Sequence, residues 1–292
     1  MNDFLFLGGD MRAVYAAKKL SEYGKDCFIH GFGAADLPLC ESQAIPIFDV
    51  IANLDKKFNN LVLPLPASTD GLNINAPYSK CTLPLSLIPR VTATGGRVYY
   101  GKANPLLTDI CSQNNLTAVN YFEREELAIM NAVPTAEGCL EIIMRETPAT
   151  VFGAAVLLTG FGRISKVLAN YLTALGACVT VSARKYADLA WAEVARCDTV
   201  PISRLDERLP EFDIIINTVP AEILSAARLA LLKKDCLVVD LASKTGIEDL
   251  EAAKRAGVNV IWALSLPGKT APVTAGYIIA DTIMNIMVEN LL

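Results

Sequence analysis

The chain has 292 residues, 52% hydrophobic and 20% charged, with a formal net charge of −5. That length predicts two domains, each burying its own core. Scattered Lys and Arg on an acidic chain offer no nucleic-acid surface, and no apolar run is long enough for a membrane span.

The amino terminus enters a strand (Phe4–Leu7) with Asp3 ahead of it, which predicts no signal peptide. That strand ends in Gly8-Gly9-Asp10, and a helix follows from Arg12 to Tyr23. Further strands are expected at Cys27–Ile29, Leu61–Leu65, Val98–Tyr100 and Ala118–Tyr121, with a helix over Pro105–Gln113. Strand and helix alternate, so residues 1–148 predict a doubly wound α/β substrate domain. Gly8-Gly9-Asp10 lacks GxGxxG spacing. It either cradles an anion, with Arg12 adding charge, or is a turn that needs two glycines. Between Pro66 and Pro89 turn residues dominate, and a loop of this length beside a strand end predicts a substrate-covering flap rather than a linker. From Glu123 to Thr147 the pattern is helical and breaks near Pro134, which is tolerated in the first turn of a second helix running to about Arg145. Thr135 and Glu137 would stand at that N-terminus, facing the space between the domains. Pro148 starts the crossing to the second domain, 149–270.

The stretch Val156–Arg184 organises that domain. Val156–Leu158 reads as a buried strand, Gly160-Phe161-Gly162 turns it, and Arg163 and Ile164 open a helix. Ile164, Val167, Leu168, Tyr171, Leu172 and Leu175 share one face of it, Gly176 stops it, and Cys178–Ser182 is the next strand. A strand, glycine turn, helix and strand in this order make a credible dinucleotide site, with Ser165 as the small third residue. The helix N-terminus would face the pyrophosphate. The second strand ends Ser182-Ala183-Arg184-Lys185, with no acid for a ribose hydroxyl until Asp188. A hydroxyl, a guanidinium and an ammonium suit a 2′-phosphate, so the cofactor read here is NADP. The alternative is that Arg184 and Lys185 are solvated charges. Beyond lie a helix (about Tyr186 to Arg196), the strand Asp213–Thr218, a helix around Glu222–Leu232, and the strands Cys236–Leu241 and Val258–Leu264. Ligands lie beyond the carboxyl ends of such strands. Thr218, Val219, Pro220, Ala242, Leu266 and Pro267 therefore join the cofactor set. A closing helix, Thr274 to about Leu291 within 271–292, packs back on the first domain. The eight cysteines (27, 40, 81, 111, 139, 178, 197 and 236) form no CxxC pair and there is one histidine. Reduced thiols in a cytoplasmic protein, and no metal, are expected.

Eight blocks occur in register along the chain. They are Gly8-Gly9-Asp10 with Arg12; Phe122-Glu123-Arg124; Val133-Pro134-Thr135 with Glu137-Gly138; Gly160-Phe161-Gly162-Arg163; Ala183-Arg184; Asn217-Thr218; Asp240-Leu241-Ala242-Ser243; and Leu266-Pro267-Gly268 with Ala271-Pro272 and Thr274-Ala275-Gly276. Together they cover essentially the whole sequence, which resembles the A-subunit family of dipicolinate synthase. The resemblance implies two Rossmann-like domains with a cleft between them. It implies NADP-linked oxidation of dihydrodipicolinate to dipicolinate on a branch from the lysine pathway. It also implies a partner, the flavoprotein-like B subunit, with the mother cell of a sporulating bacterium as setting, and it leaves a homo-oligomer open. The chain departs from the family at Lys244-Thr245-Gly246, where a proline and glycines are usual, and at Ser265, where glycine is.

A small ring with two carboxylates needs cations or N–H groups at both ends. The candidates are Gly9, Asp10, Arg12 and Arg124 in the first domain, and Pro134, Thr135, Gly268 and Lys269 further on, with Ser243 completing a carboxylate site. Each arginine has a surface ion pair as its plain alternative. Aromatisation drives the reaction, so a weak base or water would suffice. Glu137 and Asp240 are candidate bases, although Glu137 could cap its helix and Asp240 could orient a loop. His30 either faces the cleft or is a bland loop histidine. Two other readings stand beside this one: a dehydrogenase of a 2-hydroxy or 2-amino acid, which generally needs a histidine or lysine relay, and a non-catalytic NADP-binding subunit.

Overall fold

Phe4 and Phe6 enter one apolar cluster while Leu5 and Leu7 enter another, all four almost wholly buried. A strand with both faces covered reads as such a continuous apolar run, because side chains alternate across it. The computed structural model describes residues 3–33, 45–53, 55–102, 104–255 and 257–289. One compact unit holds Met1–Asn131 with Ala271–Leu292, and the other holds Ala132–Thr270.

The first unit runs β1 (Asp3–Leu7), α1 (Met11–Glu22), β2 (Asp26–His30), β3 (Phe58–Val62), α2 (Ile88–Val91), β4 (Thr92–Tyr100), α3 (Pro105–Gln113), β5 (Thr117–Asn120) and α4 (Glu125–Met130). Its sheet has the order β2-β1-β3-β4-β5, and every pairing is parallel. β3 lies earlier than the expected Leu61–Leu65, since Pro64 and Pro66 cannot donate to the ladder. The stretch expected as a flap is anchored: Ile74 N donates to Leu83 O and Asn75 N to Ala67 O. Ile74, Leu83 and Leu85 are buried in the core.

The second unit runs α5 (Ala132–Glu146), β6 (Ala155–Thr159), α6 (Arg163–Ala174), β7 (Cys178–Ala183), α7 (Tyr186–Val194), β8 (Asp198–Pro201), β9 (Ile214–Asn217), α8 (Ala226–Leu229), β10 (Leu237–Asp240), α9 (Leu250–Arg255), β11 (Asn259–Trp262) and α10 (Leu266–Thr270). The order β11-β10-β9-β6-β7-β8 is that of a doubly wound dinucleotide fold, again all parallel. Val156, Leu158, Ile214 and Ile216 face one cluster, while Leu157 and Ile215 face the other.

Four features differ from the sequence reading. α5 starts at Ala132, and its buried Ala136, Cys139, Ile142 and Ile143 belong to the second core. The division therefore falls at Asn131/Ala132 rather than after residue 148. β8 went unpredicted, being a short edge strand that contains Pro201. The helix expected around Glu222–Leu232 shrinks to α8, because Ile223 and Leu224 N–H groups donate to Gly246 O and the Ser225 hydroxyl accepts from Arg228 N as its cap. Leu266–Thr270, which the sequence reading assigns to no element, is helical.

The segment Glu125–Glu146 has the length and hydropathy of a membrane span (mean 1.3). It is broken between α4 and α5, and α5 is a core helix of the second unit. The last helix, α11 (Pro272–Glu289), belongs to the first unit and crosses α1 closely. A Cβ at Gly276 would lie 2.6 Å from Arg12 O. Tyr23 Oη donates to Asp281 (2.7 Å), and Arg124 forks onto Glu289 (2.6 and 2.7 Å). The seven described cysteines are free thiols, and burial pushes Cys27 and Cys111 up to about 11.

Candidate functional site

The carboxyl ends of β6, β7 and β9 surround a cavity of about 440 Å³ in the second unit. Gly160 makes its floor. Its φ of +78° belongs to the left-handed region, and a Cβ there would lie 2.7 Å from Val219 Cγ2. Gly160 N donates to Ser182 O (2.7 Å), which ties the turn to the end of β7. Gly162 differs. It caps α6 without a side chain, and a Cβ there would meet no protein atom within 4 Å. A helix leaves its first N–H groups without intrahelical acceptors, so this uncapped end presents donors and a positive dipole to the space above Gly162.

At the end of β7, Ser182 is 1% exposed and its Oγ has no hydrogen-bond partner. A buried orphan hydroxyl is uncommon and points to a missing ligand group. Arg184 and Lys185 follow on the cavity rim, both exposed. Neither makes an ion pair among the described residues. Ala183 contributes only a methyl group to the wall, so no carboxylate stands at the strand end itself. Asp188 lines the cavity from the first turn of α7. An anionic group near Ser182, Arg184 and Lys185, with a pyrophosphate over Gly162, satisfies every donor just described. The cavity thus fits a dinucleotide.

Gly160, Ser182, Ala183, Arg184, Lys185, Val219 and Pro220 come together here as expected from the sequence. Thr218 sits just below them, its Oγ1 on Thr159 O (2.8 Å) and beside Ser165 Oγ (2.9 Å). Arg163 is exposed at the start of α6. Phe161, Ile164 and Leu266 are instead core side chains, with Phe161 and Leu266 nearly inaccessible. Pro267 is likewise buried. Ala242 is enclosed, its N–H on Asp240 and its carbonyl accepting from Trp262 Nε1 (2.9 Å). Ile202 and Ile223, which went unnoticed in the sequence, wall the cavity with apolar surface suited to a purine. Ile202 could not be placed without β8.

Below the cavity a side-chain chain laces three strands. Thr159, Asn217 and Asp240 stand opposite one another in register. Thr159 Oγ1 donates to Asn217 Oδ1 (2.5 Å), and Asn217 Nδ2 donates to Asp240 Oδ1 (2.9 Å). Ala242 N also reaches Oδ1 (3.0 Å), while Thr245 Oγ1 (3.0 Å) and Gly246 N (2.7 Å) reach Oδ2. Asp240 is 0% exposed. Its acceptor positions are filled, so it holds the loop after β10 and cannot take a proton from substrate as a base. That corrects its candidacy as a general base. Glu137 on α5, Ser243 after β10 and Lys269 on α10 are exposed; Thr135 and Gly268 are half-buried, and Pro134 is buried in the first turns of α5.

The first-unit candidates are engaged internally. Asp10 caps α1 through Arg12 N (3.0 Å), and Arg12, 8% exposed, binds both Asp10 oxygens and Leu65 O (2.7 Å). Gly8 N donates to His30 O and Gly9 N to Asn75 O, so neither points at a ligand. Side chains at these glycines would strike Ile74 and Ala13. The turn needs its two glycines for packing, and the anion-cradle alternative does not hold. Arg124 is held by Glu126 and Glu289, so it fastens α11 instead of awaiting a carboxylate. His30 Nδ1 lies between Phe48 O (2.8 Å) and Val50 N (3.3 Å).

Comparison with known proteins agrees with this architecture. Residues 3–122 match the family described as the N-terminal domain of the dipicolinate synthase A subunit. Residues 142–255 match the D-isomer specific 2-hydroxyacid dehydrogenase NAD binding domain. The dipicolinate synthase A subunit of Bacillus subtilis (strain 168) is 31% identical over 97% of this chain and 95% of its own length. The crystal structure of the A subunit from Bacillus halodurans superposes with a TM-score of 0.86 at 30% identity, covering 98% of this chain and 97% of that one. A transhydrogenase from Sinorhizobium meliloti (TM-score 0.71, 14% identity, covering 97% and 93%) shares the fold.

Proposed function

This chain belongs to the dipicolinate synthase A-subunit family, and on that premise we propose that it oxidises dihydrodipicolinate to dipicolinate with NADP. The cytoplasm of a sporulating mother cell and a partner B subunit complete the reading. The observation that carries it is the end of β7, where the orphan hydroxyl of Ser182, with Arg184 and Lys185 making no ion pair among the described residues, stands where an NAD site would hold an acid. When bound, the oxidised nicotinamide supplies the hydride acceptor. The chain's own part is to grip the adenosine phosphates at Gly162 and Arg184, and to fix the strand ends through Thr159, Asn217 and Asp240. The substrate loses a hydride and a neighbouring proton and gains an aromatic ring, so proton removal makes little demand on a base. Exposed Glu137, Ser243 and Lys269 remain the candidates of this unit for substrate contact.

The 2-hydroxyacid dehydrogenase match over 142–255 favours a nicotinamide site but not that chemistry. The one histidine has its Nδ1 against a backbone carbonyl rather than a carboxylate. The test is an absorbance assay with aspartate semialdehyde, pyruvate, the upstream synthase and NADP, run with and without the partner protein. Pyridine product and NADPH should appear together. Flat traces in both mixtures, with NADP bound, would leave a non-catalytic binding role.

A further inference from the structure

Asp240 is the only acidic side chain among the described residues that is wholly buried. Its four partners are neutral: one amide, one hydroxyl and two backbone N–H groups. The N–H groups can only donate, and the amide oxygen of Asn217 is already taken by Thr159 and Val219 N. This donor set fits the carboxylate anion. No lysine or arginine pairs with it among the described residues, so its charge is held by dipoles and left uncancelled.

Its position gives that charge a use. Asp240 lies two strands from Thr159, which precedes the glycine turn, on the side of β6 away from Ser182–Lys185. Adjacent strands stand about 4.8 Å apart, so the carboxylate is about 10 Å from the start of that turn. In a doubly wound sheet the dinucleotide crosses the point where the strand order reverses, here between β6 and β9. With its adenosine over β7, the nicotinamide half would lie toward the ends of β9 and β10. The oxidised nicotinamide ring is a cation, and the reduced ring is neutral. We propose that Asp240 is a fixed buried charge that biases this unit toward the oxidised cofactor. The inference rests on the NADP reading above. For a ring lying about 10 Å from the carboxylate, at an effective dielectric near 20, a lone charge would change the relative affinity of the two forms by about tenfold. A site biased this way loads the oxidised cofactor and favours release of the reduced product, at the cost of making the bound ring a somewhat weaker hydride acceptor.

The experiment is to measure dissociation constants for NADP and NADPH by calorimetry on the whole chain, for wild type, Asp240→Asn and Thr245→Val. Asp240→Asn should lower the ratio of the NADPH constant to the NADP constant about tenfold. Thr245→Val keeps the anion but removes one donor, so it should raise the ratio. Equal weakening of both forms in Asp240→Asn would mean a purely structural role and overturn the proposal. If that variant does not fold, an unchanged or lower ratio in Thr245→Val overturns it alone. Failure of the wild type to bind either form would overturn the cofactor assignment itself, an outcome distinct from binding with an unshifted ratio.

Discussion

Gly8-Gly9-Asp10 and Gly160-Phe161-Gly162 occupy the same station in the two units, the turn between a central strand and the helix after it. In both, the first glycine has positive φ and donates its N–H to the last residues of the neighbouring strand, His30 O in one and Ser182 O in the other. The helix ends differ. α1 carries its own anion, the Asp10 carboxylate on Arg12 N, with the Arg12 side chain closing over it. α6 has glycine at the cap, no side-chain acceptor, and open space above. A glycine turn is thus necessary for an anion site in this fold but does not make one. The position is a site only where the chain does not supply the anion itself.

The largest expected effect tests what the two turns share. Gly160→Ala forces a left-handed residue against Val219 and should cost about 3 kcal/mol of stability, from strain and overpacking together. A thermal melt reads it, and an unchanged Tm would mean the turn relaxes without penalty. The next tests what separates them. Gly162→Asp gives α6 the kind of cap α1 has, in open space and at an ordinary φ of −79°. NADP affinity should fall about thirtyfold, roughly 2 kcal/mol, while Tm holds or rises slightly. Equal affinity would show that no phosphate sits there. The smallest concerns the first unit alone. Hydrogen bonding from Arg124 holds the Glu289 carboxyl below its ordinary value. A depressed folded-state value contributes stability at neutral pH that is lost as pH falls through it. Wild type should therefore melt slightly above Glu289→Gln near neutral pH, with the gap closing between about pH 5 and pH 2. A gap independent of pH would remove the ion pair from the account.

The second unit was readable in the sequence because its signals are local. Val156–Leu158, the glycine spacing and Ser182–Lys185 each report on backbone within a few residues, and the structure brings Gly160 and Ser182–Lys185 to one cavity. Misreadings arose where the deciding contact is distant. Arg124 pairs with Glu126 nearby and with Glu289 from the far end of the chain, and Arg12 pairs with Asp10 nearby and with Leu65 O, so only half of each commitment shows in its own neighbourhood. Asp240 reads as a base until Thr245 and Gly246 fold back onto it. β8 and Ile202 escaped because Asp198-Thr199-Val200-Pro201 carries too little apolar pattern to mark a strand, and only pairing with β7 makes it one.

The proposed recognition of a phosphorylated adenosine at the end of β7 is best tested by calorimetric titration of wild type and Arg184→Ala with NADP and with NAD. Loss of the guanidinium should weaken NADP about tenfold, roughly 1.4 kcal/mol, and leave NAD nearly unchanged. Equal losses for the two cofactors, or no NADP binding by the wild type, would contradict it.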